Sequence, residues 1–362
     1  MFQIEKIGSI MKKNMYIYII AIIIIILLLL ITVIKVVDKP HIEKTIYVAS
    51  MTPQEMEASL KDGTIAGFIS WEPYPAKTVS EGYGRYLVNS SEIWKNHPCC
   101  VLAISDNIKD EDMIRALVWM QIKSTRFIND PINWNTVVNY GSDFTGVYKT
   151  AMSIAINNTE FLEFPDVDET RKVFETLSRT GVLKKSPESM GYESVDELLS
   201  NLILAEYYNE IMKKLDVDPD WIPNAVDGNI RLGYIDGDLH HLSIYVAVQE
   251  GYFNQIGLIP DNNIHLMKFR NGVTLTNALN QREVDAAAFG MTPLLMYRVN
   301  ENGNVYIING LNSGGSSLIV RTDSDIRSID DLNGRTIATP GFGSIQDIIL
   351  RKMFDEFTIR TV

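Results

Sequence analysis

Thr339-Pro-Gly-Phe-Gly-Ser-Ile-Gln-Asp-Ile-Ile-Leu350 is the stretch from which the rest of the chain is best read. It follows a short apolar run, Thr336-Ile337-Ala338, and precedes a helical pattern. Pro340, Gly341 and Gly343 break the chain, and Ser344 N-caps the next helix with Asp347 three residues on as its capping-box partner. Such a loop leaves backbone N–H groups at the positive end of a helix dipole, a place for an anion or a polar ligand. It lacks a Gly-Lys-Ser/Thr ending and a G-x-G-x-x-G pattern, so it is not a phosphate loop. An ordinary strand-to-helix turn uses the same residues, and the stretch alone leaves both readings open.

Outward from this loop, strands and helices alternate. Upstream, 230–235, 264–269, 284–289, 305–308 and 316–321 are strand candidates, with helices at 242–253, 273–280 and 293–300 between them. The rhythm also occupies the beginning of the folded part. Thr45–Ala49 is a strand, and Thr52-Pro53-Gln54-Glu55 opens a helix with an N-cap, a proline at the first position and a glutamate at the third. Ile65–Ser70, Arg85–Val88 and Cys99–Ile104 follow as strands, with a short helix at 73–80. Residues 110–215 are helical by pattern, with a capping box at Ser194-Val195-Asp196-Glu197 opening a helix to about Leu215. The expected class is α/β, with parallel or mixed sheets flanked by helices. Residues 59–68 echo 278–287, each a helix end, a polar turn and a buried strand with a proline following. That echo fits two lobes of similar build facing each other.

The 362 residues suffice for two lobes with real cores, and a net charge of −12 argues against a nucleic-acid partner. Met15–Ile34 is an unbroken uncharged run of about the 20 residues that span a bilayer. Lys6, Lys12 and Lys13 precede it, which orients the N-terminus to the cytoplasm and everything after Asp38 outside. No small-x-small cleavage site and no lipobox cysteine follows, so the run is an expected uncleaved signal anchor, cleavage being the alternative. The expected layout is a cytoplasmic segment 1–14, an anchor 15–37 and a linker 38–44.

Two cysteines occur, Cys99 and Cys100, side by side. Their spacing matches no metal motif, and a disulfide between neighbours is strained. From spacing alone they are expected as small, half-buried residues entering a strand. Asn89-Ser90-Ser91 and Asn157-Asn158-Thr159 are compatible with glycosylation outside the cell.

The residues resemble a known family in two pieces. Residues 229–351 are similar to the first part of type II periplasmic binding proteins of the nitrate/sulfonate/taurine and thiamine-precursor group. The resemblance rests on Arg231-Leu232-Gly233-Tyr234, on Ala247, Gly251-Tyr252-Phe253 and Gly257-Leu258, and on Val284-Asp285, Gly290, Pro293, Gly314-Gly315-Ser316, Ser328–Gly334 and Ile337–Asp347. Residues 45–128 resemble the later part of that family, through Met51-Thr52-Pro53, Gly67-Phe68, Trp71-Glu72-Pro73-Tyr74, Ser90–Trp94 and His97-Pro98-Cys99-Cys100-Val101-Leu102. The order is reversed relative to the family, the pattern of a circular permutation; a fusion of two broken copies is the competing reading. A permuted chain places one lobe at 99–321 and splits the other between 45–98 and 322–362, with 45–49 in the same sheet as 336–338.

The resemblance implies a membrane-anchored, monomeric receptor outside the cytoplasm. It would close two lobes over a small polar or anionic solute and present it to the permease and ATPase of an ABC importer, with no cofactor, no metal and no catalysis. The alternatives are a single-turnover enzyme like the thiamine-pyrimidine synthases, or a sensor without transport. Ligands in open α/β sheets sit beyond the carboxyl ends of strands. The candidate ligand residues there are Asp236, His240, His241, Gly290, Thr292, Asn312, Ser313, Gly315, Ser316, Thr339, Gly341, Gly343, Ser344 and Gln346, with Trp71, Glu72 and His97. The bland alternatives are a surface His240-His241 pair at a helix start, Glu72 as a helix cap and His97 in a structural turn.

Overall fold

The computed structural model describes Met15, residues 19–20 and 22–28, and residues 43–362. The chain divides into two compact units, Met1–Lys44 and Thr45–Val362. In the first, residues 22–28 are helical and each is at least half exposed. Among the described residues no helix is long and apolar enough to cross a membrane. The other residues of the expected anchor, and the segment 1–14, lie outside the described residues.

The second unit carries twelve strands: β1 (Thr45–Ser50), β2 (Gly67–Trp71), β3 (Gly84–Asn89), β4 (Pro98–Ser105), β5 (Thr159–Phe161), β6 (Ile230–Ile235), β7 (Ile264–Phe269), β8 (Ala286–Gly290), β9 (Val305–Gly314), β10 (Ser316–Arg321), β11 (Thr336–Thr339) and β12 (Thr358–Thr361). They form two six-stranded sheets, ordered β12-β1-β11-β2-β10-β3 and β5-β9-β4-β8-β6-β7. In the first sheet β12, β1, β11 and β2 run parallel, and β10 runs antiparallel to both β2 and β3. In the second, β6 pairs in parallel with β7 and β8, while β5, β9, β4 and β8 alternate in direction. The class is therefore mixed α/β. The strand pairing expected between 45–49 and 336–338 is present, with Tyr47 opposite Thr336 and Ala49 opposite Ala338.

The local reasons are visible. Thr52 Oγ1 accepts from Glu55 N while Glu55 Oε2 accepts from Thr52 N, closing the capping box of helix Pro53–Asp62. β4 is buried at all eight positions, which is why it reads as a continuous apolar run. In β1 Ile46 and Val48 are fully buried, one face of an alternating strand.

Four elements differ from expectation. β5 interrupts the span 110–215 expected to be helical and pairs with β9. The helix expected at 242–253 is two, Leu242–Gln249 and Tyr252–Gln255, because Gly251 between them takes a left-handed φ of 68°. The helix from Ser194 stops at Leu202 and restarts at Ala205, because Ile203 leaves it to bridge Ile307 of β9. β9 runs on to Gly314 rather than ending at Ile308. The polar run from Asn309 to Ser313 hid its second half, yet Asn309, Asn312 and Ser313 are buried there.

Candidate ligand-binding site

Loops from the two sheets meet around a cavity of about 130 Å³. A 150 Å³ cavity is enough to hold benzene, so this one suits a single small ring. The first sheet supplies Trp71 at the end of β2 and the loop Pro340–Gln346 after β11. The second supplies Cys99 and Cys100 of β4, Asp238 and His240 after β6, and Gly290, Thr292 and Pro293 at the end of β8. Val273, Met296, Phe342 and Ile345 complete apolar walls. Among the described residues lining the cavity there is no lysine and no arginine. Two buried polar atoms of the lining have no hydrogen-bond partner in the protein, Trp71 Nε1 and Thr292 Oγ1.

The densest chemistry is at the β4 wall. His240 is fully buried and its Nε2 donates to the carbonyl of Gly315 at 2.9 Å, which leaves Nδ1 facing inward. Nδ1 stands 3.4 Å from Cys99 Sγ, 3.9 Å from Cys100 Sγ and 3.4 Å from Asp238 Oδ1. The sulfurs lie 3.9 Å apart. The ligating atoms of Cys99, Cys100 and His240 fall within 4.8 Å of one another, so a soft ion or electrophile in the cavity meets all three.

The hydrogen bond from Cys100 lowers the Cys99 thiol well below the ordinary range; burial opposes this, and His240 lowers it further. The same bond, then burial, pushes Cys100 well up. Burial works to lower His240, but the charges of Cys99 and Asp238 beside it win and push it to about 9. Burial raises Asp238 to about 7, partly offset by His240. His241 goes the other way, down to about 3, through burial and then the charge of His240. Neither cysteine nor Asp238 is among the ligand residues expected from the sequence, although the strand-end segments 236–241 and 96–99 that frame the expected site contain Asp238 and Cys99, and spacing alone predicts half-buried cysteines. They are 1% and 4% exposed. The signal was the adjacency of His97-Pro98-Cys99-Cys100 to a strand end.

The opening loop is built differently from an anion cradle. Asp347 Oδ2 accepts from Gly343 N at 2.9 Å and from Arg351 Nε at 3.0 Å, and Asp347 N donates to Ser344 Oγ at 3.1 Å. Ser344 N and Oγ both donate to Gly341 O. The carboxylate of Asp347 therefore already sits at the helix N-terminus, where its charge repels an incoming anion. It reaches Gly343 rather than the N-cap residue, which corrects the expected capping box. Gln346, also in the lining, donates from Nε2 to Ser316 Oγ at 3.0 Å.

Eight of the expected ligand residues line the cavity: Trp71, His240, Gly290, Thr292, Gly341, Gly343, Ser344 and Gln346. The other nine stand behind or away from it. Asp236 is exposed and pairs with Lys268 at 2.9 Å. His241 is buried, not on the surface, and its Nδ1 accepts from Ile235 N. Glu72 is fully buried as a cap: Oε2 accepts from Ala76 N, and Oε1 from Asn158 and Tyr86. His97 bonds Ser90 Oγ, and Ser313 donates to Glu160. Asn312 Oδ1 accepts from Cys100 N, positioning the dithiol wall. Gly315 orients His240, Ser316 holds Gln346, and Thr339 is buried at the end of β11.

Residues 34–140 match the model of the NMT1-like family, and residues 238–361 match that of the NMT1/THI5-like family. The chain belongs to the type II periplasmic-binding-protein group that serves nitrate, sulfonates and thiamine precursors. Two similar curated proteins share the name bicarbonate transport ATP-binding protein CmpC. The one from Synechococcus elongatus is 29% identical over 103 residues, 28% of this chain and 16% of the relative. The one from Synechocystis sp. is 31% identical over 91 residues, 25% of this chain and 14% of the relative. The chain thus spans about one-sixth of the length of those relatives. A solved histidine kinase sensor domain, described as similar to periplasmic binding proteins, superposes with a TM-score of 0.20 at 17% identity. The superposition covers 37% of this chain and 50% of that one, too loosely to bear on the fold.

Proposed function

We propose that the chain is the solute-binding component of an ABC importer. Its cavity takes a small, flat, uncharged or weakly basic nitrogen ring of the aminopyrimidine kind rather than nitrate, a sulfonate, taurine or bicarbonate. The observation that carries the choice of solute is the lining: apolar walls, no lysine or arginine among the described residues, and an acidic pair of groups, Asp238 and Asp347, at or behind it. An anion would find no lysine or arginine, a His240 whose charge Cys99 and Asp238 already match, and a carboxylate at the helix start, whereas a heteroaromatic ring gains apolar contact and meets Trp71 Nε1 and Thr292 Oγ1 as free hydrogen-bonding groups. The family membership supports transport, and the CmpC relatives, named for bicarbonate transport, support ABC partners.

The reading includes a circularly permuted order, a monomeric state and an N-terminal anchor that holds the cavity outside the cytoplasm. β1 lying between β12 and β11 supports the permutation, because the start and end of the second unit then build one sheet. Closure would follow from a solute touching both sheets' loops at once. The test is uptake: membrane vesicles holding the cognate permease and ATPase should import labelled aminopyrimidine only when the chain is present. Binding without import would replace transport by sensing.

One observation favours the enzyme reading. His240 lies in the cavity beside two thiols, as a histidine consumed in a single turnover would have to lie near its reaction partners. That chemistry also needs a cofactor-binding lysine, and no described residue of the lining is one. An unchanged mass of the His240 peptide after incubation with iron and oxygen would remove this reading.

A further inference from the structure

We propose that Cys99 and Cys100 form an oxidisable dithiol on the cavity wall, in which Cys99 is oxidised by a hydroperoxide and Cys100 closes on it. The inference is independent of which solute the cavity takes.

Neighbouring side chains on a regular strand point to opposite faces. Here the register of β4 against β9 shifts between Pro98 and Cys100 and again between Cys100 and Val101. Irregularities of this kind re-aim side chains, and the result is two sulfurs 3.9 Å apart on one cavity wall. His240 holds the proton of the Cys99–His240 pair: Nδ1 is 3.4 Å from Cys99 Sγ, and the bond from Nε2 to Gly315 O fixes the ring. That is the arrangement of a thiolate nucleophile, the imidazole that has taken its proton and the group that orients the ring. Trp71 Nε1 and Thr292 Oγ1, buried and unpartnered in the same lining, are available to hold a peroxide oxygen. The cysteines themselves are almost wholly buried, so only a small reagent using the cavity reaches them.

The steps balance. Cys99 sulfur, whose proton already rests on His240 Nδ1, attacks one peroxide oxygen; the S–O bond forms, the O–O bond breaks, and the departing alkoxide or hydroxide takes that proton from His240. Sulfur is oxidised and the peroxide is reduced to an alcohol or water. Cys100 sulfur then attacks the sulfenic sulfur of Cys99. The S–S bond forms, the S–O bond breaks, and the hydroxide leaves as water with the Cys100 proton. The product is a strained, readily reduced bridge.

The experiment exposes the full reduced chain to hydrogen peroxide and follows intact mass, peptide linkage and thermal unfolding. The expected result is loss of two hydrogens, a Cys99–Cys100 linkage within one chain, and full reversal by dithiothreitol. Cys100→Ser should stop at a Cys99 sulfenic acid trapped by dimedone, and Cys99→Ser should leave Cys100 reduced over the same time. His240→Asn should slow oxidation by at least about tenfold at unchanged Cys99 accessibility to a neutral probe. The wild-type mass and linkage need no variant to fold. Equal oxidation of the two single variants, a bridge between two chains, or no reaction at peroxide levels that oxidise free glutathione would each overturn the proposal. So would protection of both sulfurs that a chelator abolishes, since that would assign them to a bound cation.

Discussion

Tyr47 lies in parallel register with Thr336, although nearly the whole folded chain separates them. Val48 on the same strand pairs with Ile337 on one side and Thr361 on the other, so β1 is an inner strand built from the start of the unit and held by its end. Ile46 is fully buried there. Ile46→Ala should therefore cost about 2–5 kcal/mol in the global unfolding transition, measured by urea denaturation as a single shifted midpoint. A variant that lost only a minor early transition, leaving the main one in place, would make 45–98 a separate unit and contradict the permuted sheet.

Gly315 has a φ of 71°, and a Cβ there would lie 2.3 Å from His240 Nε2 and 2.9 Å from Thr159 Oγ1. Gly315→Ala should lose at least about 1–3 kcal/mol from backbone strain alone. It should also push the His240 ring away from Cys99. Urea unfolding gives the first effect, and the rate of Cys99 alkylation by iodoacetamide the second. Wild-type values for both would show that the close approach of residue 315 to the ring does not set its position.

Much of this was legible in sequence. The helix starts at Thr52 and Ser344, the strands at 45–50, 230–235, 264–269 and 316–321, and the glycine loop all carry local signals in short windows. The site was legible only as a neighbourhood. Whether Glu72 faces a ligand or caps a helix depends on Asn158, Tyr86 and Ala76 standing around it, contacts that no window contains. The anion reading of Ser344–Asp347 came from the same residues that refute it, because sequence does not say that the Asp347 carboxylate folds back onto Gly343. Cys99 and Cys100 looked like packing because strand alternation predicts that only one of them faces a cavity, and the irregular register of β4 is invisible before pairing.

Thr292 Oγ1 is a buried hydroxyl with no partner. Thr292→Val keeps the shape and removes a polar atom that no protein group satisfies, so stability should stay level or rise by up to about 1 kcal/mol. Solute affinity should fall about tenfold, the loss of one hydrogen bond. Calorimetric titration of wild type and variant separates the two effects; destabilisation with unchanged affinity would place the hydroxyl outside recognition.

His241 is held neutral, with a folded pKa of about 3. Its pKa is depressed below the unfolded value near 6.5, so the unfolded chain takes up a proton that the folded one refuses as pH falls. This contribution is fully present above about pH 6.5 and is lost toward pH 3, at about 1.4 kcal/mol per unit. His241→Asn keeps an acceptor for Ile235 N and removes the titration. Between pH 6 and pH 4 its stability should fall less steeply than that of wild type, followed by urea unfolding at each pH. Parallel slopes would show that His241 is protonated in the folded chain.

The most direct test of the central claim, a largely apolar cavity without lysine or arginine that takes a nitrogen ring, is thermal unfolding of the full chain with an aminopyrimidine and, separately, with nitrate, taurine and bicarbonate. A ligand at about 100 times its Kd adds about 2.7 kcal/mol of stability. The account expects that upward shift in Tm with the aminopyrimidine and none with the three others at equal concentration and ionic strength. A shift with nitrate, taurine or bicarbonate, and none with the aminopyrimidine, would contradict it.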